Sequence, residues 1–428
     1  MDKINNSTMA KLSVMSISIF DIIIAICFFI YNPGLNVIEV VSLVYVIYII
    51  VVFVNAKCIM HPTAVFKVLL SVYLLIGGLN LIPDLKEIDE NNLKYMFLFL
   101  AGFDFILIFS LCGYRSESLS LERSTLILRG LILFSIFLFL LDVFATRGIP
   151  GLMGEDARTG GITIAKILLQ LNFILVAMIT FSLPSKKNIF IFALIGILIF
   201  LEGFRTPLIQ AAIIAVFILA AKNIKSMKSL LKITVVVSIV FMLVNSLSLI
   251  RTYFEYGEAA IMANLARAGM GDSLLLAPLN VIVFNLKESP LNFQLIRDFH
   301  TTYGEGHYFL SNITSIYGGG YSYGYNYNLL TFADTDRTRT ATILAPFYVD
   351  FGEMGILIGG LILSLINFFF MRFARKSFLH MSLYLYWSSS LIIWIHNGMI
   401  FQWGNILIML GLVGFFLYVN TIYSFGKR

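Results

Sequence analysis

The sequence predicts an all-α polytopic membrane protein with about twelve transmembrane helices and one large outward-facing loop. Of its 428 residues, 59% are hydrophobic and only 13% are charged. The mean hydropathy is +0.90, and twelve apolar stretches approach the ~20 residues that cross a bilayer. A soluble domain of this length could not bury so much apolar surface.

The twelve predicted spans divide the chain into three parts. Residues 1–250 hold nine spans, residues 251–341 form the large loop, and residues 342–428 hold three spans, all within one integrated domain. The seventh and eighth spans are close together, as a tight hairpin or a broken helix. The spans are predicted at 13–32, 35–55, 64–82, 95–114, 124–144, 162–183, 187–203, 206–221, 230–250, 344–371, 379–398 and 404–424.

Basic residues predict that both termini are cytoplasmic. With that orientation, 18 of the 30 Lys and Arg residues lie on the inner side, most of them in or beside short loops. Positive charge is enriched in short cytoplasmic loops. The large loop between the ninth and tenth spans then lies on the outer face.

Arginine dominates the basic residues that remain on the outer face, since eight of those twelve are arginine. The guanidinium group binds phosphate and carboxylate through two parallel hydrogen bonds. The outer arginines therefore favour an anionic substrate, and ordinary loop salt bridges are the alternative. They are Arg147, Arg158, Arg205, Arg251, Arg267, Arg297, Arg337 and Arg339.

The first half of the large loop is predicted to contain two helices. Residues 257–270 have helical apolar spacing. The nearly continuous apolar stretch 273–286 is too short to span, so it is predicted to be an interfacial or re-entrant helix. Both helices could frame a lateral opening for a lipid.

Tyrosine and glycine are concentrated in the second half of the loop. Tyr317 precedes three glycines, and Tyr321, Tyr323 and Tyr325 alternate with small or polar residues. A tyrosine ring offers a flat apolar face with a hydroxyl at its rim, which suits a sugar. We expect these tyrosines to bind glycan; the alternative is an aromatic belt at the membrane interface.

Acidic and histidine side chains on the outer face are candidates for a general base. Asp350 and Glu353 are three residues apart, so on a helix they share one face at the outer mouth of the tenth span. His300 follows Arg297 in the loop, and His307 lies further along.

Three arginine positions have specific alternatives. Arg205 is expected at a helix N-terminus, with Pro207 in the first helical turn, but Arg205 could instead form an ion pair with Glu202. Arg251 leaves the ninth span and could extend to phospholipid headgroups. Arg337 and Arg339 alternate with threonines just before the tenth span.

At these residues the chain resembles the Wzy-type O-antigen polymerases. The local matches are Gly203-Phe-Arg-Thr-Pro, Thr340-Ala-Thr-Ile-Leu and Asp350-Phe-Gly-Glu-Met-Gly. The layout of about a dozen spans, a large periplasmic loop and outer arginines matches as well. The resemblance implies an architecture like the C-type glycosyltransferases and O-antigen ligases of the bacterial inner membrane.

The resemblance also implies a substrate and roles for residues. Undecaprenyl-pyrophosphate-linked oligosaccharides are polymerised, and a chain-length-regulating co-polymerase is an expected partner. Arg205, Arg337 and Arg339 would contact the pyrophosphate, and Asp350 or Glu353 would act beside it. The chain lacks the tandem periplasmic arginine-glycine repeat described for some polymerases, so it need not use alternating capture and retention loops.

The sequence predicts no metal ion, no cofactor and no nucleic-acid partner. No cluster of His, Asp and Glu has the spacing of metal ligands, and the basic residues are scattered among many loops. Arginine would then stabilise the leaving diphosphate in place of a divalent cation.

Three rival functions share parts of this pattern. An O-antigen ligase has the same layout but transfers the glycan to the lipid A core. A polysaccharide flippase or transporter usually has ionisable groups at the midplane and related halves; here only Asp21 and Asp104 are acidic near the middle of a span. A single-sugar C-type glycosyltransferase would carry an acidic pair in the first outer loop, which residues 32–36 lack.

Overall fold

The computed structural model describes most of the chain. Within the described residues, the regular secondary structure is entirely helical. The described residues are 2–31, 33–55, 61–78, 89, 91–107, 124–152, 161–223, 246, 249, 253–254, 256–267, 277–299, 303–307, 340–374, 378–398 and 403–425. The α-helices are α1 Asp2–Tyr31, α2 Leu35–Asn55, α3 Pro62–Gly78, α4 Asn91–Leu107, α5 Ser124–Thr146, α6 Thr163–Ser182, α7 Lys186–Glu202, α8 Thr206–Asn223, α9 Glu258–Arg267, α10 Ala277–Phe299, α11 Ala345–Phe373, α12 Phe378–Asn397 and α13 Trp403–Phe425.

Apolar helices coincide with eight of the predicted spans. Four are long and apolar enough to cross a membrane, namely Val37–Asn55, Ile127–Thr146, Thr163–Ser182 and Ala345–Phe373. Four shorter ones are Met15–Tyr31, Pro62–Gly77, Thr206–Ala220 and Gly404–Tyr418. These helices indicate a polytopic membrane protein, while the number twelve stays a prediction. Most of the ninth predicted span lies outside the described residues.

The seventh and eighth spans form separate helices joined by a tight turn. Gly203 ends α7 in the left-handed conformation, with φ 81°, and its N–H donates to the Phe200 carbonyl. Glycine adopts this conformation without steric cost, which is why it often ends a helix. Pro207 is the second residue of α8, so the predicted position of this proline in the first turn is confirmed.

The two predicted loop helices are present, but the second has different bounds. Helix α9 lies within the predicted stretch 257–270. Helix α10 does not end near Leu286; it continues to Phe299 and contains Pro290. The predicted end is wrong because burial of residues beyond the apolar run, among them Phe293 and Ile296, sustains the helix.

The chain folds into two compact units whose segments alternate along the sequence. Unit 1 comprises residues 1–114, 283–373 and 390–403, and unit 2 comprises residues 115–282, 374–389 and 404–428. In unit 1, α4 packs along α11 and α1. A side chain at Gly102 or Gly360 would meet the backbone of the facing helix, at Leu357 or Phe99 respectively, so these glycines permit the close packing of α4 and α11.

In unit 2, α6 is the central helix. It packs against α5, α7 and α8, and apolar side chains such as Ile174 and Met178 are fully buried on it. Helix α5 instead exposes Leu133, Phe137 and Phe144. Such a continuous exposed apolar face is expected where lipid replaces water.

Candidate functional site

The Asp350–Glu353 segment is interrupted within α11. Gly352 has φ 63° and ψ −146°, which are not helical values. Asp350 is buried, whereas Glu353 is exposed. The expectation that both carboxylates share one helical face is therefore wrong, because the glycine breaks the helical repeat between them.

The segment 303–307 packs against this interruption. The N–H groups of Gly304 and Glu305 donate to the carbonyls of Val349 and Asp350, each at 3.0 Å. A side chain at position 352 would meet the Tyr303 ring at 2.7 Å. Gly352 is thus required both by its positive φ and by the close approach of Tyr303.

The Glu353 carboxylate is held by a hydrogen bond from α4. The Tyr95 hydroxyl donates to Glu353 Oε1 at 3.0 Å. The Tyr95 ring packs against Phe293 of α10 and Tyr348 of α11, with centroids 5.9 and 5.7 Å away. Tyr303 continues the cluster, 6.0 Å from Tyr348. The exposed Glu353 carboxylate therefore lies at the edge of a mostly buried aromatic cluster in unit 1.

Arg297 links α10 to Asp89, which lies shortly before α4. Its Nη2 donates to Asp89 Oδ1 at 2.6 Å, and the guanidinium lies 5.3 Å from the Tyr95 ring centroid and 5.5 Å from that of Phe293. The Asp89 backbone N–H also donates to Gln294. Arg297 is thus engaged in an ion pair and two cation–π contacts, as ordinary loop pairing predicts.

A second polar network in unit 1 centres on His396, near the end of α12. The hydroxyls of Tyr73 and Ser289 lie 2.8 and 3.0 Å from His396 Nδ1. Ser289 is also 3.1 Å from the Thr340 hydroxyl, and Asn292 donates to the Thr340 carbonyl at 2.6 Å. Hydroxyls and an imidazole at these distances can exchange protons.

The His396 network was not predicted from the sequence. Its members are separated by up to 323 residues, so no local motif joins them. The one available signal was an ionisable residue near the outer end of the predicted span 379–398.

In unit 2, three charged side chains meet at the helix ends next to Arg205. Asp142, Lys166 and Glu202 are all buried. Lys166 Nζ lies 3.4 Å from Asp142 Oδ2, and the Glu202 carboxyl interacts with both. We call these three residues the helix-end cluster.

Arg205 is positioned by the turn that follows this cluster. It is partly exposed, and its carbonyl accepts the Ile209 N–H at 3.1 Å, so it stands at the N-terminus of α8 as predicted. A helix N-terminus favours an anion nearby. The charged groups that act on the Glu202 carboxyl are Asp142 and Lys166, and the Glu202–Arg205 ion pair stays an alternative.

Several predicted site residues lie outside the described residues. They are His300, Arg251, Arg337, Arg339, Tyr317, Tyr321, Tyr323 and Tyr325. Their proposed roles remain predictions. Within the described part of the chain, no group of three or more His, Cys, Asp or Glu side chains is arranged to hold a metal ion.

Comparison with known proteins identifies the family of the chain. The model of the O-antigen polymerase family matches residues 22–410, nearly the whole chain. The chain belongs to the O-antigen polymerase family. Neither curated proteins nor solved structures give a match.

Membership of the O-antigen polymerase family implies a glycosyltransferase-like polymerase that acts on a lipid-linked oligosaccharide in a membrane. The apolar helices fit that environment. The resemblance seen in the sequence is thereby confirmed at the level of the family.

Proposed function

We propose that the protein polymerises undecaprenyl-pyrophosphate-linked oligosaccharide repeat units on the periplasmic face of the bacterial inner membrane. The observation that carries this proposal is the match to the O-antigen polymerase family over residues 22–410. The excess of arginine on the predicted outer face supports it, because the donor substrate carries a diphosphate.

The reaction transfers a growing glycan to a new lipid-linked unit. The acceptor hydroxyl gives its proton to a base, and its oxygen bonds to the anomeric carbon of the donor sugar. The bond from that carbon to the diphosphate oxygen breaks, and the diphosphate leaves with the electron pair. The protein must therefore hold a base close to the hydroxyl and stabilise the negative charge that develops on the leaving group.

Glu353 is the carboxylate best suited to be the base. It is exposed, so an acceptor hydroxyl can reach it, and the bond from Tyr95 fixes its orientation. Asp350 is only 1% exposed and lies behind the segment 303–307, which favours a positioning role. His300 remains an alternative base from the sequence.

Arginine would stabilise the leaving diphosphate without a metal ion. Arg205 is partly exposed at the N-terminus of α8, where the helix dipole adds to its attraction for an anion. Arg251, Arg337 and Arg339 are proposed to bind the same diphosphate from the outer loop. Tyr317, Tyr321, Tyr323 and Tyr325 would bind the glycan, and a co-polymerase would set chain length.

The surface-glycan ladder of a deletion strain tests the proposed function. We expect a single repeat unit in the deletion strain and the full ladder after complementation with the wild-type gene. An unchanged ladder in the deletion strain would contradict the proposal. Long lipid-linked polymer that is made but not attached to lipid A core would favour an O-antigen ligase instead.

The role of Glu353 is tested by complementation with Glu353→Gln. We expect loss of polymer at normal protein levels, with a rate decrease of about 100-fold or more in purified protein, as for removal of a general base. Glu305→Gln is the matched control, since Glu305 is also exposed and lies in the adjacent segment 303–307. Loss of activity in the control alone would show that the base is assigned to the wrong carboxylate.

A further inference from the structure

Three ionisable side chains from three helices meet inside unit 1, in a group we call the core cluster. Asp21 of α1 and Asp104 of α4 are both 0% exposed, and Lys67 of α3 is 2% exposed. Lys67 Nζ donates to Asp21 Oδ2 at 2.7 Å and also to Asp104 Oδ2. Both acids therefore use one oxygen to bind the same ammonium group.

The charges in the core cluster do not balance when all three groups are ionised. Two carboxylates face one ammonium, which leaves one excess negative charge. Among the described residues, Lys67 and Asp104 are the charges that act on Asp21. Helix α2 adds the uncharged Tyr45, and α11, which also packs on α4, adds no charge to these interactions. An uncompensated charge in so apolar a place is strongly unfavourable.

The same cluster also lacks hydrogen-bond donors. Asp21 Oδ1, Asp104 Oδ1 and the Tyr45 hydroxyl oxygen are buried and form no regular hydrogen bond within the described part of the chain. Tyr45 nevertheless lies close enough to both carboxyl groups to interact with them, and the two carboxyl groups interact with each other. The Tyr45 O–H can donate to one of the two free carboxylate oxygens, so the other still requires an additional donor.

One bound proton would both neutralise the excess negative charge and supply the missing hydrogen-bond donor. A neutral carboxylic acid removes the excess charge and adds one O–H donor next to a second carboxylate. A metal cation would do so less well, because Lys67 already occupies the position between the two carboxylates and would repel it. Two carboxyl groups this close cannot both ionise easily, so they tend to share a proton.

We propose that Asp21 and Asp104 share one bound proton at neutral pH, so that the core cluster is a buried proton-binding site with Lys67 as its fixed counterion. Release of the proton would place a net negative charge between α1, α3 and α4. Helix α4 also carries Tyr95, whose hydroxyl donates to Glu353.

Infrared spectroscopy of the wild-type protein tests the proposal without a variant. In protein grown with carboxyl-¹³C aspartate, we expect a carbonyl band of a protonated carboxylic acid at neutral pH that is shifted by the label. The label separates this band from any glutamic acid, including Glu202. Absence of a labelled band would overturn the proposal.

Variants assign the band to its residues. We expect Asp21→Asn or Asp104→Asn to remove it and Asp142→Asn in unit 2 to leave it unchanged. A band that persists in both Asp21→Asn and Asp104→Asn would overturn the proposal.

Thermal unfolding provides a second test. Each single variant, Asp21→Asn or Asp104→Asn, leaves one carboxylate for Lys67, so we expect only a small decrease in Tm. The double variant leaves a buried ammonium without a counterion, and we expect a large decrease in Tm or loss of folded protein. Glu39→Gln on α2 controls for removing a carboxylate outside the cluster. Single variants as unstable as the double variant would overturn the proposal.

Discussion

The core cluster of unit 1 and the helix-end cluster of unit 2 have the same charge composition in different surroundings. Each contains two carboxyl groups and one lysine from three helices, and all six side chains are buried. In the helix-end cluster, the Ile162 N–H at the start of α6 donates to Asp142 Oδ1 at 2.6 Å. In the core cluster, the three residues lie within their helices, whose backbone N–H groups are used internally.

This difference gives Asp142 a backbone donor, which the unpartnered Oδ1 atoms of Asp21 and Asp104 lack. The N-terminus of α6 carries unpaired N–H groups and a partial positive charge, so it stabilises Asp142 directly. Lys166 Nζ also lies 5.9 Å from the centroid of the Phe204 ring, which adds a cation–π contact. The core cluster has no such helix end, so the proposed proton takes that role.

The comparison is tested most strongly by removing each lysine. We expect Lys67→Met to lower the free energy of unfolding by about 3–5 kcal/mol, because it leaves buried carboxyl groups without a counterion. Lys166→Met should cost about 1–2 kcal/mol, since Asp142 keeps its backbone donor. Denaturation of the two purified variants in the same detergent measures the difference. Equal decreases in the free energy of unfolding for the two variants would show that the N-terminus of α6 does not stabilise the negative charge of Asp142.

An effect smaller than that of Lys67→Met is expected from crowding the turn that brings the N-terminus of α6 to Asp142. A side chain at Gly161 would overlap the Asp142 carboxylate and come within 2.7 Å of Lys166 Nζ. We expect Gly161→Ala to lower the free energy of unfolding by about 1–3 kcal/mol. Gly130→Ala on α5 is the matched control, because its side chain would enter open space and should stabilise the helix by up to about 1 kcal/mol.

The smallest effect is expected for Glu202. In Glu202→Gln the Lys166–Asp142 pair remains and one of two neighbouring carboxyl groups is replaced by a neutral amide. We therefore expect the free energy of unfolding to change by less than about 1 kcal/mol. Unfolding measurements together with the glycan ladder decide its role. Loss of polymer at unchanged stability would connect Glu202 to the reaction at Arg205, whereas a large loss of stability would contradict the expected effect.

Several helices could be predicted from the sequence because their signals are local. Apolar length predicted the spans that coincide with α2, α6 and α11, and Pro207 predicted the first turn of α8. Each of these signals lies within a few residues of the structure that it specifies.

The clusters could not be predicted because they depend on which helices are neighbours. Lys67 binds Asp21 and Asp104, which are 46 and 37 residues away in the sequence. Hydropathy identifies a helix that spans but does not identify its partner. His396 was overlooked for the same reason.

The interruption of α11 was missed for a different reason. Residues 345–373 are apolar enough to favour a continuous helix, and Gly352 alone is a weak signal because glycine also occurs within transmembrane helices. The break requires tertiary contacts, namely the hydrogen bonds from Gly304 and Glu305 and the approach of Tyr303.

The interruption at Gly352 separates a short first part of α11 from a longer second part. From Glu353 to Phe373 the helix has 21 residues, which at 1.5 Å per residue extend about 31 Å. This length equals the ~30 Å thickness of the hydrocarbon layer. The part after Gly352 is therefore long enough to cross the membrane by itself. With the predicted orientation, Glu353 would lie at the outer boundary between the hydrocarbon layer and water. A glycan carried by a membrane lipid first becomes accessible at that boundary.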